Sequence, residues 1–463
     1  MPTKLGYVCT DINLVRLTDN QLVALFTELL GNDQVIAFAS LKSHLHDRIV
    51  QSLTPDSLPP ACVIYPQSID ELSKAIALAY EHRLRVLPCG NATKLDWGGL
   101  VSRADVVIST AQLNQVIEHC VGDLTVTVQA GVKYQDLQAI LAKEGQFLAI
   151  DPPYETDATI GGILATGSAG SLRHRYNSVR DMCLGIEFVR SDGEVVKAGG
   201  RVVKNVAGYD LMKLLTSSYG TLGIASTITF RLYPLPEFTQ IALVTGTADE
   251  IAQLQQQISK SVLTPTACDL LSASVITKLG LGEGVGLVVQ FSSLKVSVIE
   301  QGDRIASLAK ALNLQVQIID AVSDFWRSLN NLIWQRELRN AAQSMSNHVV
   351  CKLGILPSSS VSLVEQCEKI FSNQEYYLQV HAGSGLGLLR VENSQDIDEQ
   401  LAQVRTIAEA QSGFLTILEA PQNLKFNSIL SDVWGYRGNA RDLMIKIQQQ
   451  FDPRGLFSPA RLF

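Results

Sequence analysis

The stretch Thr159-Ile160-Gly161-Gly162-Ile163-Leu164-Ala165-Thr166-Gly167-Ser168-Ala169-Gly170, inside a longer run from Asp151 to Ile224, decides how the chain is read. Downstream come the basic loop Arg173-His174-Arg175-Tyr176, then Gly199-Gly200-Arg201, Asn205-Val206-Ala207-Gly208-Tyr209-Asp210 and Gly220-Thr221-Leu222-Gly223-Ile224. Glycine lets main chain approach a ligand and takes positive φ, so such loops can aim several N–H groups at one anion. One helix terminus or nest contributes only about 0.3 to 1 kcal/mol per charge interaction, so several must act together. The run reads as a cradle for an extended phosphorylated cofactor. The alternative is that its glycines only punctuate tight connections between strands and helices.

Outward from this stretch, the residues from Asp151-Pro152-Pro153 through Ser178-Val179-Arg180-Asp181, with Gly199-Gly200-Arg201-Val202-Val203-Lys204-Asn205-Val206-Ala207-Gly208-Tyr209-Asp210-Leu211, resemble the FAD-binding (GlcE-like) subunit of the bacterial glycolate oxidase, or glycolate dehydrogenase, complex. That subunit belongs to the vanillyl-alcohol-oxidase (PCMH-type) flavoproteins. The end of the chain, Phe451-Asp452-Pro453-Arg454-Gly455-Leu456-Phe457-Ser458-Pro459-Ala460-Arg461-Leu462-Phe463, resembles the closing segment of the same family.

Bulk properties set limits on this reading. At 463 residues the chain has room for two to three domains. With 46% hydrophobic and 18% charged residues it suits a globular protein with much buried surface, and a net charge of −7 without a basic tail argues against nucleic acid as a partner. Eight cysteines, none in a Cys-x-x-Cys pair, give no iron–sulfur or zinc motif and suit a reducing compartment. The amino terminus shows no signal-peptide core, and no window approaches the roughly 18 apolar residues of a spanning helix. The expected location is cytoplasmic, or at most peripheral to a membrane.

The predicted fold class is α+β: a PCMH-type FAD-binding domain of two α/β subdomains over residues 59–236, an α+β cap over 237–450, and a closing segment, 451–463, that packs back on the flavin domain. Residues 1–58 read as an extension packed on the main body, with a helix from Thr18 to Gly31. Cys62-Val63-Ile64-Tyr65, a capping box at Ser68-Ile69-Asp70-Glu71, a helical stripe, and Arg85-Val86-Leu87 form a βαβ unit. The turn after its second strand, Pro88-Cys89-Gly90-Asn91-Ala92-Thr93-Lys94, stands where open α/β sheets bind ligands. Helices are also expected over Tyr134–Glu144, with Leu137, Ile140 and Leu141 apolar, and over 211–219, 248–262, 297–312, 393–411 and 441–451. Expected strands include 106–109, 125–128, 185–189, 225–233, 241–245, 285–291, 314–319 and 414–418. Asp192-Gly193 reads as a hairpin turn. Gly282-Glu283-Gly284-Val285-Gly286 precedes a strand and is not a nucleotide loop.

The resemblance implies noncovalent FAD, because the loop holds no histidine for attachment. It places Pro88, Gly90, Asn91, Ala92, Thr93 and Lys94 on the pyrophosphate loop. It places Pro152, Thr159, Gly161, Gly162, Gly167, Ala169 and Gly170 along the pyrophosphate and isoalloxazine, with Ile224 near the adenine. Cys89 stands where the family often has arginine and reads as an inert thiol. Arg173, His174 and Arg175 read as a solvated basic turn, with a reach to the flavin edge or an anionic substrate as the alternative.

Two candidates for catalysis lie in the cap. Phe325, Leu329, Leu332 and Arg336 fall at i, i+4, i+7 and i+11, so Arg336, flanked by Arg339, sits in an apolar stripe and needs an anion. It could hold a substrate carboxylate; the alternatives are an internal ion pair or a stem on the apolar face with its head in water. His381-Ala382-Gly383-Ser384-Gly385 is similar to the His-x-Gly-x-Gly motif of relatives that oxidise 2-hydroxy acids, but lacks the asparagine and second histidine that follow there. His381 could act as a base or be structural, and the histidine spacing gives no metal site. Trp434 and Tyr436 read as packing residues.

The resemblance implies oxidation of glycolate, with D-lactate as a second candidate, to the 2-oxo acid. It also implies partners: a second flavoprotein subunit and an iron–sulfur subunit that takes the electrons. The alternatives are a noncatalytic FAD-bearing assembly subunit and a stand-alone flavin dehydrogenase for another 2-hydroxy acid.

Overall fold

A computed structural model describes residues 17–201, 208–320, 322–334, 348–392, 394, 396–427, 432–436 and 438–462. Three main sheets carry the architecture. The first has four strands in the order Val35–Ala37, Cys62–Ile64, Val106–Ser109, Val86–Cys89, with the last three parallel and the first antiparallel to its neighbour. Cys62–Ile64 and Val106–Ser109 are buried at every position, as inner parallel strands covered on both faces must be. One strand of this sheet is thus supplied by the segment ahead of residue 59. The connecting helix Ile69–Glu81 presses Leu72, Ala75, Ile76 and Ala79 into the core. Ser68 Oγ accepts from Glu71 N at its start, but the Glu71 carboxylate accepts from Gln67 N rather than Ser68 N, so one arm of the expected capping box forms.

The tail of the chain closes this layer. Leu456 and Phe457 are fully buried in its core, Val86 N donates to Leu456 O (2.8 Å) and Ser458 N to Val86 O (2.9 Å). The Asp452 carboxylate makes the turn by accepting from Leu456 N and Phe457 N.

The second sheet is antiparallel throughout, in the order Val116–Cys120, Thr125–Gln129, Ile224–Arg231, Cys183–Val189, Val195–Gly199. The turn at Asp192-Gly193 is real, and it needs glycine: Gly193 has φ +87° and a Cβ there would come within 2.9 Å of the Ser73 carbonyl oxygen. Helices Tyr134–Ala142 and Ile160–Thr166 pack on this sheet through Leu137, Leu141, Ile160 and Ile163, whereas Ile140 is 38% exposed, contrary to its expected place on the apolar face. The helix expected over 211–219 stops at Leu215, since Ser217 and Tyr219 are left-handed.

The third sheet has eight strands in the order Gln315–Ile319, Phe238–Gly246, Val285–Ser293, Ala267–Leu271, Tyr376–His381, Leu386–Glu392, His348–Gly354, Phe414–Glu419. Alternation divides its faces. Ala242, Val244, Leu287 and Val289 meet the helices Ala248–Ser259, Lys295–Ala311, Ser360–Ile370 and Ile397–Glu409. Ile241, Leu243 and Val288 face the helix Val322–Trp334 and the flanking residues Trp97 and Tyr154. Of these elements the sequence reading missed the strands at 267–271, 348–354, 376–381 and 386–392 and the helix at 360–370, and it set the helix at 393–411 two to four residues too wide at each end. The helix Arg441–Phe451 has the bounds expected of it.

Candidate functional site

The short helix Ile160–Thr166 starts with Thr159 as its cap, Oγ1 accepting from Gly162 N (3.3 Å), and ends on left-handed Gly167. The loop from Pro88 to Leu95 is pressed against this start. A Cβ on Gly90 would stand 2.1 Å from Thr159 Oγ1, and one on Gly161 would stand 2.8 Å from the Ala130 methyl, so close approach of backbone accounts for both glycines. Between them runs a channel of about 100 Å³ lined by Pro88, Gly90, Asn91, Ala92, Thr93, Lys94, Thr159, Gly161, Gly162 and Ile224. Its described walls hold no carboxylate and two cations, Lys94 and Arg461. That composition suits an anionic, elongated ligand. Cys89 also lines the channel, and burial pushes its thiol up to about 12, so it brings no charge. Arg461, which the sequence reading placed only in a closing motif, is buried and donates to the carbonyls of Gly99 and Leu95; burial lowers its guanidinium to about 10.

The other four residues expected at the cofactor, Pro152, Gly167, Ala169 and Gly170, line a second cavity of about 470 Å³. Thr166 and Tyr219 belong to both walls, so channel and chamber adjoin. The chamber lies between the segment that leaves the carboxyl end of this helix, Thr166 to Arg173, and strands of the eight-stranded sheet that carry Gln290, Lys352, Gln379 and His381. Gly170 packs where a Cβ would come within 2.5 Å of the Asp151 carboxylate, which accepts from Gly170 N (2.9 Å) and Leu172 N (3.1 Å). Burial still dominates at Asp151 and raises its carboxyl to about 6. Ser168 Oγ, buried in the chamber wall, has no hydrogen-bond partner among the described residues.

His381 lines the chamber at the end of its strand. Its cross-strand partner is Asp269, completely buried, with Nδ1 and Oδ1 2.8 Å apart. The other oxygen of Asp269 accepts from Gln379 Nε2 (2.8 Å) and from Ser171 Oγ. Burial would raise the Asp269 carboxyl, but the His381 charge and these hydrogen bonds outweigh it and hold the group below the usual carboxylate range. A carboxylate on Nδ1 fixes the neutral imidazole with its hydrogen there and leaves the Nε2 lone pair to accept a proton.

The basic turn is corrected by the structure. Arg175 is exposed, but Arg173 and His174 are half-buried; Arg173 lines the chamber, and the His174 ring packs where a Gly383 Cβ would lie, 2.6 Å from Nδ1. The loop therefore supplies a second histidine beside the Gly383 turn, which the local sequence after His381 lacks. Burial lowers the pKa of both Arg173 and His174. Lys352 lines the same chamber, and burial followed by the nearby Arg173 charge lowers its ammonium to about 8. Neither Arg173 nor Lys352 forms an ion pair with a carboxylate among the described residues.

Arg336 and Arg339 lie outside the described residues. Asp269, Gln379 and Lys352 were missed. The signal was an aspartate in the apolar run Ala267-Cys268-Asp269-Leu270-Leu271 and a lysine in Val349-Val350-Cys351-Lys352-Leu353, each a charge inside a buried strand. Among the described residues no group of three His, Cys, Asp or Glu converges as a metal site, and no helix is long and apolar enough to cross a membrane. Trp434 is a packing residue in part: it meets Tyr219 edge-on and its Nε1 donates to Arg461 O (2.8 Å).

Comparison with known proteins agrees with this geometry. Residues 60–199 match the family described as FAD binding domain (FAD_binding_4). The chain is 26% identical over 425 residues to glycolate oxidase subunit GlcD of Bacillus subtilis, covering 87% of this chain and 89% of that one. It is 24% identical over 434 residues to D-2-hydroxyglutarate dehydrogenase of Stutzerimonas stutzeri, covering 87% and 91%. In three dimensions it is similar to p-cresol methylhydroxylase with substrate bound, with a TM-score of 0.72, 15% identity and 96% of both chains covered. The glycine-lined channel without carboxylates, the adjoining chamber and these matches agree: the chain is an FAD-dependent oxidoreductase with a PCMH-type fold, and residues 60–199 are its FAD binding domain.

Proposed function

We propose that the chain oxidises a small 2-hydroxy acid to the 2-oxo acid, with glycolate and D-lactate as the first candidates, and that it works as one subunit of an assembly. The observation that supports this reading best is the buried Asp269–His381 pair on the wall of a chamber that also holds Arg173 and Lys352. A 2-hydroxy acid offers a hydroxyl for the first and a carboxylate for the second.

In this reading Gly90–Lys94, Thr159, Gly161 and Gly162 would hold the phosphates of noncovalent FAD and Pro152, Gly167, Ala169 and Gly170 would hold its ring; bound there, it would supply a two-electron acceptor. His381 takes the hydroxyl proton at Nε2 while Asp269 steadies the imidazolium that results. Arg173 and Lys352 bind the carboxylate and so orient the substrate. Trp97 and Trp334, stacked 5.0 Å apart in the chamber wall, exclude water. The name of the Bacillus relative as a subunit supports an assembly, in which a second flavoprotein and an iron–sulfur subunit would accept electrons.

The test is the visible spectrum of the purified chain, followed anaerobically as glycolate, D-lactate or D-2-hydroxyglutarate is added. Bleaching of the flavin band by one of them supports self-sufficient oxidation and names the substrate. A band that stays oxidised with all three, but bleaches when partner subunits are present, supports an assembly role for this chain instead.

A further inference from the structure

The segment ahead of residue 59, which the sequence left without a role, reaches the cofactor loop. Its helix Ser43–Ser52 lies against the outer face of the first sheet, where Ile49 and Leu53 share a core with Val63, Leu87, Ala92 and Val101. From this helix Arg48 Nη1 donates to the carbonyl oxygen of Ala92 (2.9 Å). Ala92 sits at the turn of the Pro88–Leu95 loop with φ +56°, a left-handed conformation that residues other than glycine adopt only at a cost. The same carbonyl also accepts a long bond from Leu95 N (3.4 Å).

We infer that Arg48 is a positioning residue for FAD, holding the Ala92–Thr93 peptide so that its amide edge faces the cofactor channel. Gly90, Asn91 and Thr93 line both the channel and a separate cleft of about 300 Å³ on the far side of the loop, and Arg48 belongs to the wall of that cleft. In a trans peptide the C=O and the following N–H point in opposite directions. A charge-assisted bond that draws the Ala92 oxygen toward the helix therefore turns the Thr93 N–H side toward the channel. The guanidinium does not enter the channel; it acts through the loop. The helix is tied at its other end to the cap, because Gln422 Nε2 donates to the carbonyls of Val50 (3.2 Å) and Leu53 (2.6 Å). That second tie holds the helix without touching the loop, which provides an internal control.

This inference rests on the reading of the channel as the FAD site, and the two are tested separately. The experiment measures the FAD dissociation constant of the full chain by flavin fluorescence at a temperature well below melting, for Arg48→Met, Arg48→Lys, Gln422→Ala and Gly162→Val. Arg48→Met is expected to weaken FAD about tenfold, equivalent to about 1.4 kcal/mol, Arg48→Lys to recover part of the loss, and Gln422→Ala to bind as the parent does. If Arg48→Met does not fold, Arg48→Lys decides alone, with a loss of threefold or more expected. Parent-like affinity in the Arg48 variants overturns the inference, and so does an equal loss in Gln422→Ala, which would make the role one of docking the helix. Retention of parent-like affinity by Gly162→Val, by contrast, would overturn the placement of FAD in the channel.

Discussion

His381 and Asp269 stand directly opposite each other on neighbouring antiparallel strands, Nδ1 to Oδ1 2.8 Å, and the aspartate has no exposure to solvent. Directly opposed positions bring side chains on one face within reach of each other, so the sheet register itself builds the pair. Its chemistry is asymmetric: the carboxylate dictates which imidazole nitrogen is free. His381→Ala should lower the rate of flavin reduction by a factor of about 10² to 10⁴, the usual contribution of a positioned base, while the protein stays yellow. Asp269→Asn should cost at least about tenfold, because an amide can donate to Nδ1 and so favour the tautomer with its hydrogen on Nε2. Stopped-flow reduction under anaerobic conditions reads both. Parent-like rates in His381→Ala would remove it from the chemistry.

Lys352 gives a second, independent handle on the carboxylate. Burial and the Arg173 charge bring its ammonium down to about 8, so in the free enzyme it loses its charge as pH rises through that value. KM for the hydroxy acid should therefore climb above pH 8, and Lys352→Met should raise KM about tenfold or more at pH 7, in line with a charged hydrogen bond of about 1.5 to 3 kcal/mol, and flatten that limb. The stability effect runs the other way. A lysine whose folded pKa lies below its unfolded value of 10.5 is destabilising while charged, and that cost is relieved as pH rises from about 8 to 10.5. Lys352→Met should thus melt higher than the parent at pH 7 and lose the advantage above pH 10. A KM that ignores both pH and substitution would place the substrate elsewhere in the chamber.

The two halves of the site were unequally legible in the sequence. The channel came from local signals: glycines at 90, 161 and 162 mark places of close approach, Gly90 and Gly162 against the Thr159 cap and Gly161 against Ala130 just past a strand. The chamber depends on pairing across long separations. Asp269 and His381 are 112 residues apart, and nothing near Asp269 distinguishes it from a satisfied buried carboxylate. His174 likewise meets Gly383 only through the packing of the flavin domain on the cap. Missing the strands at 267–271 and 376–381 meant missing the register that makes the dyad. The helix overrun at 211–219 has a local cause: Ser217 and Tyr219 adopt left-handed backbone that no glycine or proline advertises.

Asp151 adds a pH dependence to stability. Burial raises its carboxyl from 3.8 to about 6 despite the amide donors of Gly170 and Leu172, so the folded chain binds this proton more tightly than the unfolded chain does. The resulting stabilisation is complete below pH 3.8 and is lost as pH rises through about 6. Asp151→Asn keeps one acceptor for the two amides and cannot ionise. Its melting temperature relative to the parent should therefore improve by an amount that grows between pH 4 and pH 6 and is constant beyond. A difference that does not change over that interval would mean that Asp151 is ionised with an ordinary pKa.

Gly162 offers the cleanest test of the channel. Among the described residues a Cβ there meets only Thr159 Oγ1, at 3.2 Å, so a side chain can enter without displacing backbone. Valine is also a better helix former than glycine by a few tenths of a kcal/mol, and position 162 lies in the first turn of Ile160–Thr166. The substitution should therefore leave the fold intact while its two methyl groups occupy the channel beside the Gly90 loop. The expected product is a folded, colourless protein with far-ultraviolet circular dichroism like the parent and FAD affinity reduced at least a hundredfold, about 2.7 kcal/mol. Gly200→Ala, where an added Cβ has nothing within 4 Å among the described residues, serves as the control and should remain yellow. A yellow Gly162→Val protein would show that the phosphates of FAD do not pass this helix start.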